Sequence, residues 1–487
     1  MFLECIRQFL HGFIITDAVL HIAVFAHICA TMELPQEFKD EMLELMPPAE
    51  AGALFCAIGS EPVVSIRLNG PSDALGDILA AEYGVSFSGR VPWDESGFYL
   101  RERPSFTMNP LFHAGRFYVQ EASSMFVGQA VRQCVNGPVR VLDLCAAPGG
   151  KSTHLLSLLP KGSLLVANEI VRSRANILCE NIVKWGRADV VVTNDTPAHI
   201  GERSFLFDVI LVDAPCSGEG MFRKDAVAVS EWSSDNVRMC AERQRAILEA
   251  VWPVLKPGGF LIYSTCTYNR YEDEDNVAWL SEHFGAEPVA IDVPDEWGIT
   301  GDMTGRGLPV CHFFPHRTRG EGFFLALLHK PGSYTDVALP LKSKSLRCDG
   351  PFVDWVAEPE RFRFIESGDS VIALPEANAD AMLQTSRCLS TVLCGLEVAV
   401  RKGRGWMPAH ALAMSRNLRK DAFAVCSVSR EQALAYLHGE SVVLADAPRG
   451  YVLVAYRGVP LGFANNVGNR ANNLYPQQWR IRKPVNQ

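Results

Sequence analysis

Two of the chain's 14 cysteines stand among residues that could activate them. Cys216 lies in Asp213-Ala214-Pro215-Cys216-Ser217-Gly218, and Cys266 lies in Ser264-Thr265-Cys266-Thr267. Each follows an apolar run that reads as a strand, which puts both at strand ends on one rim. The other cysteines are scattered, with no C-x-x-C pair and no zinc-finger spacing, and read as small buried hydrophobes of a reducing compartment; no metal is implied. A pair of rim thiols suits one chemistry in particular. Carbon 5 of a pyrimidine is too weak a nucleophile to take a methyl group unaided, but a thiolate adding to carbon 6 makes it enamine-like. A base then removes the carbon-5 proton and elimination frees the cysteine. Lys151 or a helix N-terminus would favour the ionised thiol. An acid such as Asp213 would hydrogen-bond the ring nitrogen or amine and stabilise the charge that develops.

A methyl donor needs a cradle, and residues 139–152 (VRVLDLCAAPGGKS) offer one. An apolar strand stops at a Pro-Gly-Gly turn and a helix follows, which is the opening of a βαβ unit with its turn at the strand's carboxyl end. Gly149 and Gly150 let backbone amides approach a ligand. Acids close the next strands: Glu169 after residues 163–167, Asp195 after 189–193, and Asp213 after 207–212. A carboxylate after the second strand is placed to receive a ribose diol, and Asp195 to receive an adenine amine. The chain lacks G-x-G-x-x-G and G-x-x-x-x-G-K-[ST], which disfavours dinucleotides and nucleoside triphosphates. A phosphate-free nucleoside such as S-adenosylmethionine fits better.

Positioning these groups takes alternating strands and helices. Helices are expected at 118–131, 152–159, 172–185 and 243–254, the last closed by Lys256-Pro257-Gly258-Gly259, with a fifth strand at 260–264. That alternation predicts an α/β fold with a doubly wound, Rossmann-like sheet. Ahead of it, a helix at 34–45 and strands such as 63–68 suggest a small α+β lead-in domain; Arg67 reads equally as a surface charge or a phosphate contact.

DLCAAPGGKS, DAPCSGEG followed by RKD, and YSTCT, in this order, resemble the RNA 5-methylcytosine methyltransferases over roughly residues 118–330. The resemblance implies Cys266 as nucleophile, and Cys216, the Pro-Cys cysteine, as the residue that assists product release. It places the cofactor on Cys145, Ala146, Ala147, Pro148, Gly149, Gly150 and Lys151, with Glu169, Asp195 and Asp213, and lets Lys151 and Asp213 touch the target base. GEGFFLALL near Gly320 matches the family's closing strand. From residue 395 the chain is strand-rich and resembles the PUA-like RNA-binding tail of the bacterial, RsmF-like branch that modifies small-subunit ribosomal RNA. Arg401, Lys402, Arg404, Arg470, Arg480 and Arg482, with Tyr475 and Trp479, would then supply phosphate contacts and base stacking.

Composition agrees with a soluble globular protein: 487 residues, 48% hydrophobic and 21% charged. The net charge is −9, yet residues 401–487 carry 13 Lys/Arg against four acids, +9 in that segment and −18 elsewhere. The expected organisation is an upstream extension (1–31), an RNA-binding lead-in (32–110), the methyltransferase domain (111–330), a linker (331–349), a small connecting domain (350–394) and the PUA-like domain (395–487). Residues 13–30 are apolar, but Asp17, His21 and His27 interrupt them and no positive cluster precedes them. The expected protein is a cytoplasmic monomer acting on ribosomal RNA without membrane or metal. A transfer-RNA methyltransferase of the same family and a non-catalytic RNA-binding assembly factor are the alternatives.

Overall fold

The structure, a computed structural model, describes residues 33–70, 76, 79, 86–203, 205–334, 348–444 and 447–482. The expected extension, its apolar stretch and residues 335–347 of the expected linker lie outside the described residues. No described helix is long and apolar enough to cross a membrane.

The lead-in begins with two helices, Gln36–Leu45 and Pro48–Ile58; the second, with proline at its first turn where no amide is needed, was not expected. Phe38 and Met42 are buried on the first helix, and Phe38 meets the rings of Phe222 at 5.1 Å and Trp232 at 5.8 Å. The helices thus dock behind the Cys216 and Cys266 loops. An antiparallel sheet follows, in order β2 (Phe87–Val91), β3 (Asp94–Leu100), β1 (Val64–Leu68), β4 (Phe117–Val119). The helix expected at 118–131 is corrected: Tyr118 pairs with Arg67 in β4–β1, and helix begins only at Val127, running to Cys134. Closing the sheet edge outweighs local helical spacing.

The central sheet runs β10 (Glu287–Val289), β12 (Phe323–His329), β9 (Leu255–Thr265), β8 (Phe207–Asp213), β5 (Arg140–Asp143), β6 (Leu164–Asn168), β7 (Val190–Thr193), β15 (Thr391–Cys394), with β11 (Val310–Phe313) paired to β12. Strands β5 to β9 are mutually parallel where they pair. Their residues alternate between faces: Val141, Val209, Leu211 and Ile262 enter one core, and Leu142, Ile210, Val212 and Leu261 the other. The strand order reverses between β5 and β8, so the crevice beyond their carboxyl ends is the switch point where such sheets bind ligands. Lys256–Gly259 does not cap a helix. The helix is Ser234–Val251, and these residues bulge within β9, whose register jumps between Leu255 opposite Phe207 and Phe260 opposite Val209.

Beyond the linker, β13 (Phe362–Ser367), β14 (Ser370–Pro375), β16 (Leu396–Lys402) and β17 (Gly405–Pro408) form one antiparallel sheet. It crosses the division expected at 394/395, while β15 extends the central sheet along β7. The last sheet is β18 (Ala424–Ser427), β19 (Gly450–Tyr456), β20 (Val459–Asn466) and β21 (Ala471–Asn473). Its Val452, with Tyr436 of the helix Arg430–Leu437 and Ile481 near the chain's end, shares one core with Ile66, Leu100 and Phe117 of the lead-in.

Candidate active site

The neighbouring strands β8 and β9 bring Asp213 level with Ser264, so the loops that follow open on the same rim. The Ser264 hydroxyl donates to Asp213 Oδ1 at 2.9 Å, and Lys151 Nζ meets Asp213 Oδ2 at 2.7 Å. Burial would lower the Lys151 pKa, but the charge of Asp213 and its hydrogen bond outweigh it and hold the ammonium above its ordinary value. Cys216 Sγ and Cys266 Sγ are 3.0 Å apart. The hydrogen bond to Cys266, together with burial, pushes the Cys216 thiol well above its ordinary value.

Two buried carboxylates clasp the cysteine loops reciprocally. Glu219, from the Cys216 loop, accepts from the amides of Tyr268 at 2.7 Å and Asn269 at 3.1 Å. Glu272, from the Cys266 loop, accepts from the Ser217 amide at 3.0 Å and from Gln244 Nε2 at 2.6 Å. The Gly220 amide donates to the Cys266 carbonyl at 2.8 Å; a Cβ on Gly220 would come within 2.5 Å of the Gly322 carbonyl, so only glycine fits. Burial first, and then the nearby Glu41 and Glu272, raise Glu219 to about 8. Neither acid was singled out in the sequence.

A cleft of about 470 Å³ opens in front of the thiols. Cys145, Ala146, Ala147, Pro148, Gly150, Lys151, Asp213 and Cys266 line it. Gly149, at φ 113°, is the left-handed residue that lets the turn enter the helix Gly150–Leu158. The opposite wall, Tyr118, Gln120, Glu121 and Ser124, comes from the lead-in and its junction with the helix Val127–Cys134, and Glu321 and Phe323 come from the closing strand. The backbone turn, the enclosed volume and the rim acids fit a phosphate-free nucleoside cofactor. Burial raises the Cys145 thiol, so it is a wall rather than a nucleophile.

Glu169 and Asp195 sit on the same edge, beyond the lining of this cleft. Glu169 Oε1 accepts from the Val171 amide at 2.8 Å. Asp195 accepts from His199 Nδ1 at 2.6 Å and from the Ser390 amide at 2.7 Å. Asn168, at the end of β6, staples the edge: its Nδ2 donates to the carbonyls of Leu144 at 3.1 Å and Asp195 at 3.0 Å.

Two expected RNA contacts are corrected. Arg67 is 0% exposed, because its guanidinium is used inside the protein. It donates to Gln120 Oε1 at 2.7 Å, Thr153 Oγ1 at 2.6 Å and the Gly150 carbonyl at 3.2 Å, and lies 4.4 Å over the Trp185 ring. Tyr475 is 2% exposed, packed edge-on against His410 and Tyr436, and presents no face for stacking. Trp479 is half-buried against His410. Arg401, Lys402 and Arg404 are exposed on the β16–β17 hairpin, where Arg401 pairs with Glu366 at 3.3 Å and covers Trp406. Arg470, Arg480 and Arg482 are exposed around the last sheet, so the expected basic surface is divided between two sheets.

Fold and rim together define a Rossmann-like methyltransferase carrying paired thiols beside its cofactor cleft. Three family models match the chain: 16S rRNA methyltransferase RsmB/F over residues 134–329, the N-terminal domain of 16S rRNA methyltransferase RsmF over 34–122, and the methyltransferase RsmF PUA domain over 423–481. The ribosomal RNA small subunit methyltransferase F of Citrobacter koseri is 32% identical over 472 residues, covering 91% of this chain and 96% of that protein. The protein of the same name from Escherichia coli O127:H6 is 32% identical over 476 residues, covering 92% and 97%. Among solved structures, a methyltransferase homolog protein from Pyrococcus horikoshii is 29% identical with a TM-score of 0.52, covering 61% of this chain and all 100% of that one. NSun6 from the same organism with SFG, at 21% identity and a TM-score of 0.54 over 61% of this chain and 99% of that one, shares the fold. The chain belongs to the 16S rRNA methyltransferase RsmB/F family.

Proposed function

We propose that the protein transfers a methyl group from S-adenosylmethionine to carbon 5 of a cytosine in small-subunit 16S ribosomal RNA. The sulfur–sulfur contact of Cys216 and Cys266 beside the Lys151–Asp213 pair carries this reading. The turn from Cys145 to Lys151 would hold the cofactor, with Glu169 receiving the ribose and Asp195 the adenine amine. Bound there, S-adenosylmethionine supplies an electrophilic methyl group.

The target cytosine leaves its stack to reach the rim, which favours loops and opened helices. Asp213, held by Lys151 and Ser264, receives its exocyclic amine, and the Lys151 ammonium offers the Cys266 sulfur a positive partner. The Cys266 thiolate bonds to carbon 6 as the ring's electron pair shifts to carbon 5, which takes the methyl group. Loss of the carbon-5 proton to a base returns the electron pair through the ring and breaks the carbon–sulfur bond. Cys216, protonated and in contact with the departing sulfur, assists this release. One chain supplies all these groups, so the site needs no second copy, and the exposed arginines of the last two sheets would meet RNA phosphates.

Bisulfite sequencing of ribosomal and transfer RNA from a strain lacking the protein tests the reading. A 16S cytosine that loses its methyl group supports it; loss confined to transfer RNA replaces the substrate, and no loss in any RNA overturns the activity.

A further inference from the structure

Arg116 and Arg416 line one small cavity, about 140 Å³, where the three folded parts of the chain meet. Asn69 and Arg116 come from the lead-in, Lys184 and Trp185 from the end of the central helix Arg172–Trp185, and Arg416 from the segment after the helix His410–Met414. Asn69 is the hub: its Nδ2 donates to the carbonyls of Gly115 at 2.7 Å and Trp185 at 3.2 Å, and its Oδ1 accepts from Arg416 Nη2. The Arg416 amide donates to the Gly186 carbonyl at 3.1 Å. The junction is therefore built and held.

Its charge is not balanced. Lys184 is paired with Glu180 at 2.5 Å, and Arg187, which repels Arg416, is paired with Asp189. Among the described residues neither Arg116 nor Arg416 has a carboxylate partner, and Arg116 Nε is buried without an acceptor. Two guanidinium charges remain in one cavity, and the carboxyl end of the neighbouring helix supplies only about half a negative charge. Burial lowers the pKa of both arginines, and on Arg416 the charges of Arg187 and then Arg116 lower it further. The Arg116 guanidinium, and the Arg416 donors other than the Nη2 that reaches Asn69, are left to match the geometry of phosphate oxygens.

We propose that Arg116 and Arg416 bind one backbone phosphate of the RNA substrate at this three-part junction, remote from the thiols. The proposal rests on the RNA-methylating reading above. Such a contact locks the lead-in, the catalytic sheet and the C-terminal region onto one strand of RNA without reading its sequence.

The test measures binding of protein-free 16S rRNA transcript to the full chain as a function of salt. One phosphate contact contributes about 0.7 to 0.9 to the slope of log affinity against log salt. Arg116→Gln and Arg416→Gln should each flatten the slope by up to that amount, and the double variant by no more, since both hold one phosphate. Arg116→Lys with Arg416→Lys should restore most of the slope, and S-adenosylmethionine affinity should stay as in wild type. An unchanged slope in the double variant, with methylation intact, overturns the phosphate site while leaving the enzyme reading standing. A slope unchanged while inorganic phosphate thermally stabilises wild type but not the double variant assigns the cavity to a free anion and also overturns it. Wild-type protein that methylates no RNA fails the functional reading itself.

Discussion

Cys216 and Cys266 meet sulfur to sulfur at 3.0 Å although fifty residues separate them. The contact follows from the pairing of β8 with β9 and from the reciprocal grip of Glu219 and Glu272 on the two loops. Its contact with Cys266, together with burial, holds Cys216 protonated, and Cys266 is the thiol that lines the cleft with Lys151.

Removing Cys216 should therefore spare attack and block release. Cys216→Ala is expected to accumulate a covalent protein–RNA adduct, visible as a slow band on denaturing gels, with turnover reduced about 10²- to 10⁴-fold. Normal turnover without adduct would remove Cys216 from the release step.

Breaking the clasp should misplace the thiols without touching the cofactor. Glu219→Ala leaves the amides of Tyr268 and Asn269 without their acceptor, at about 1–3 kcal/mol for each buried group. Turnover should fall at least tenfold while S-adenosylmethionine affinity, read by calorimetry, stays within twofold. Glu219→Gln, which keeps one acceptor oxygen, should recover part of the loss.

Arg67 should act on the cofactor rather than on RNA. Arg67→Met leaves Gln120 Oε1 without its donor and removes one of the donors to the Gly150 carbonyl, beside the turn that enters the cleft. Expected are weaker S-adenosylmethionine binding and a lower urea midpoint, with the salt dependence of RNA binding unchanged. A reduced salt slope would instead return Arg67 to a phosphate contact.

Buried acids give stability a pH dependence of known sign. Burial raises Glu41 and Asp143 to about 7 and Glu219 to about 8, from ordinary values of 4.5, 3.8 and 4.5. Such groups hold their protons more tightly folded than unfolded, so stability is greatest below the unfolded values and declines as pH rises toward the folded ones. The melting temperature should fall between about pH 6.5 and pH 8, above the range in which the buried His113 and His410 act with the opposite sign, and Glu41→Gln should flatten part of that decline. A melting temperature that climbs over this range would contradict the assigned protonation.

The sequence showed the turn at Cys145–Lys151, the rim cysteines and the parallel order because each is local: glycines after an apolar strand, and short motifs at strand ends. The clasp was not legible, since Glu219 and Glu272 gain meaning only when β8 and β9 lie side by side. Arg67 misled for a related reason. A strand arginine looks the same whether it faces solvent or, as here, plugs the seam between the lead-in and the helix Gly150–Leu158. Tyr475 was taken for a stacking platform beside basic residues, but the shared core of the lead-in and last sheet needed its ring. Helix spacing at 118–131 failed at Tyr118, whose partner in β1, Arg67, is far away in the chain and invisible to local periodicity.

The central claim is that Cys266 makes the bond to carbon 6. RNA carrying 5-fluorocytosine at the target has no carbon-5 proton to lose, so the adduct persists after methyl transfer. Mass spectrometry of the trapped peptide should place the nucleotide on Cys266, and Cys266→Ala should give neither adduct nor methylated product. A nucleotide found on Cys216, or full methylation by Cys266→Ala, would contradict the account.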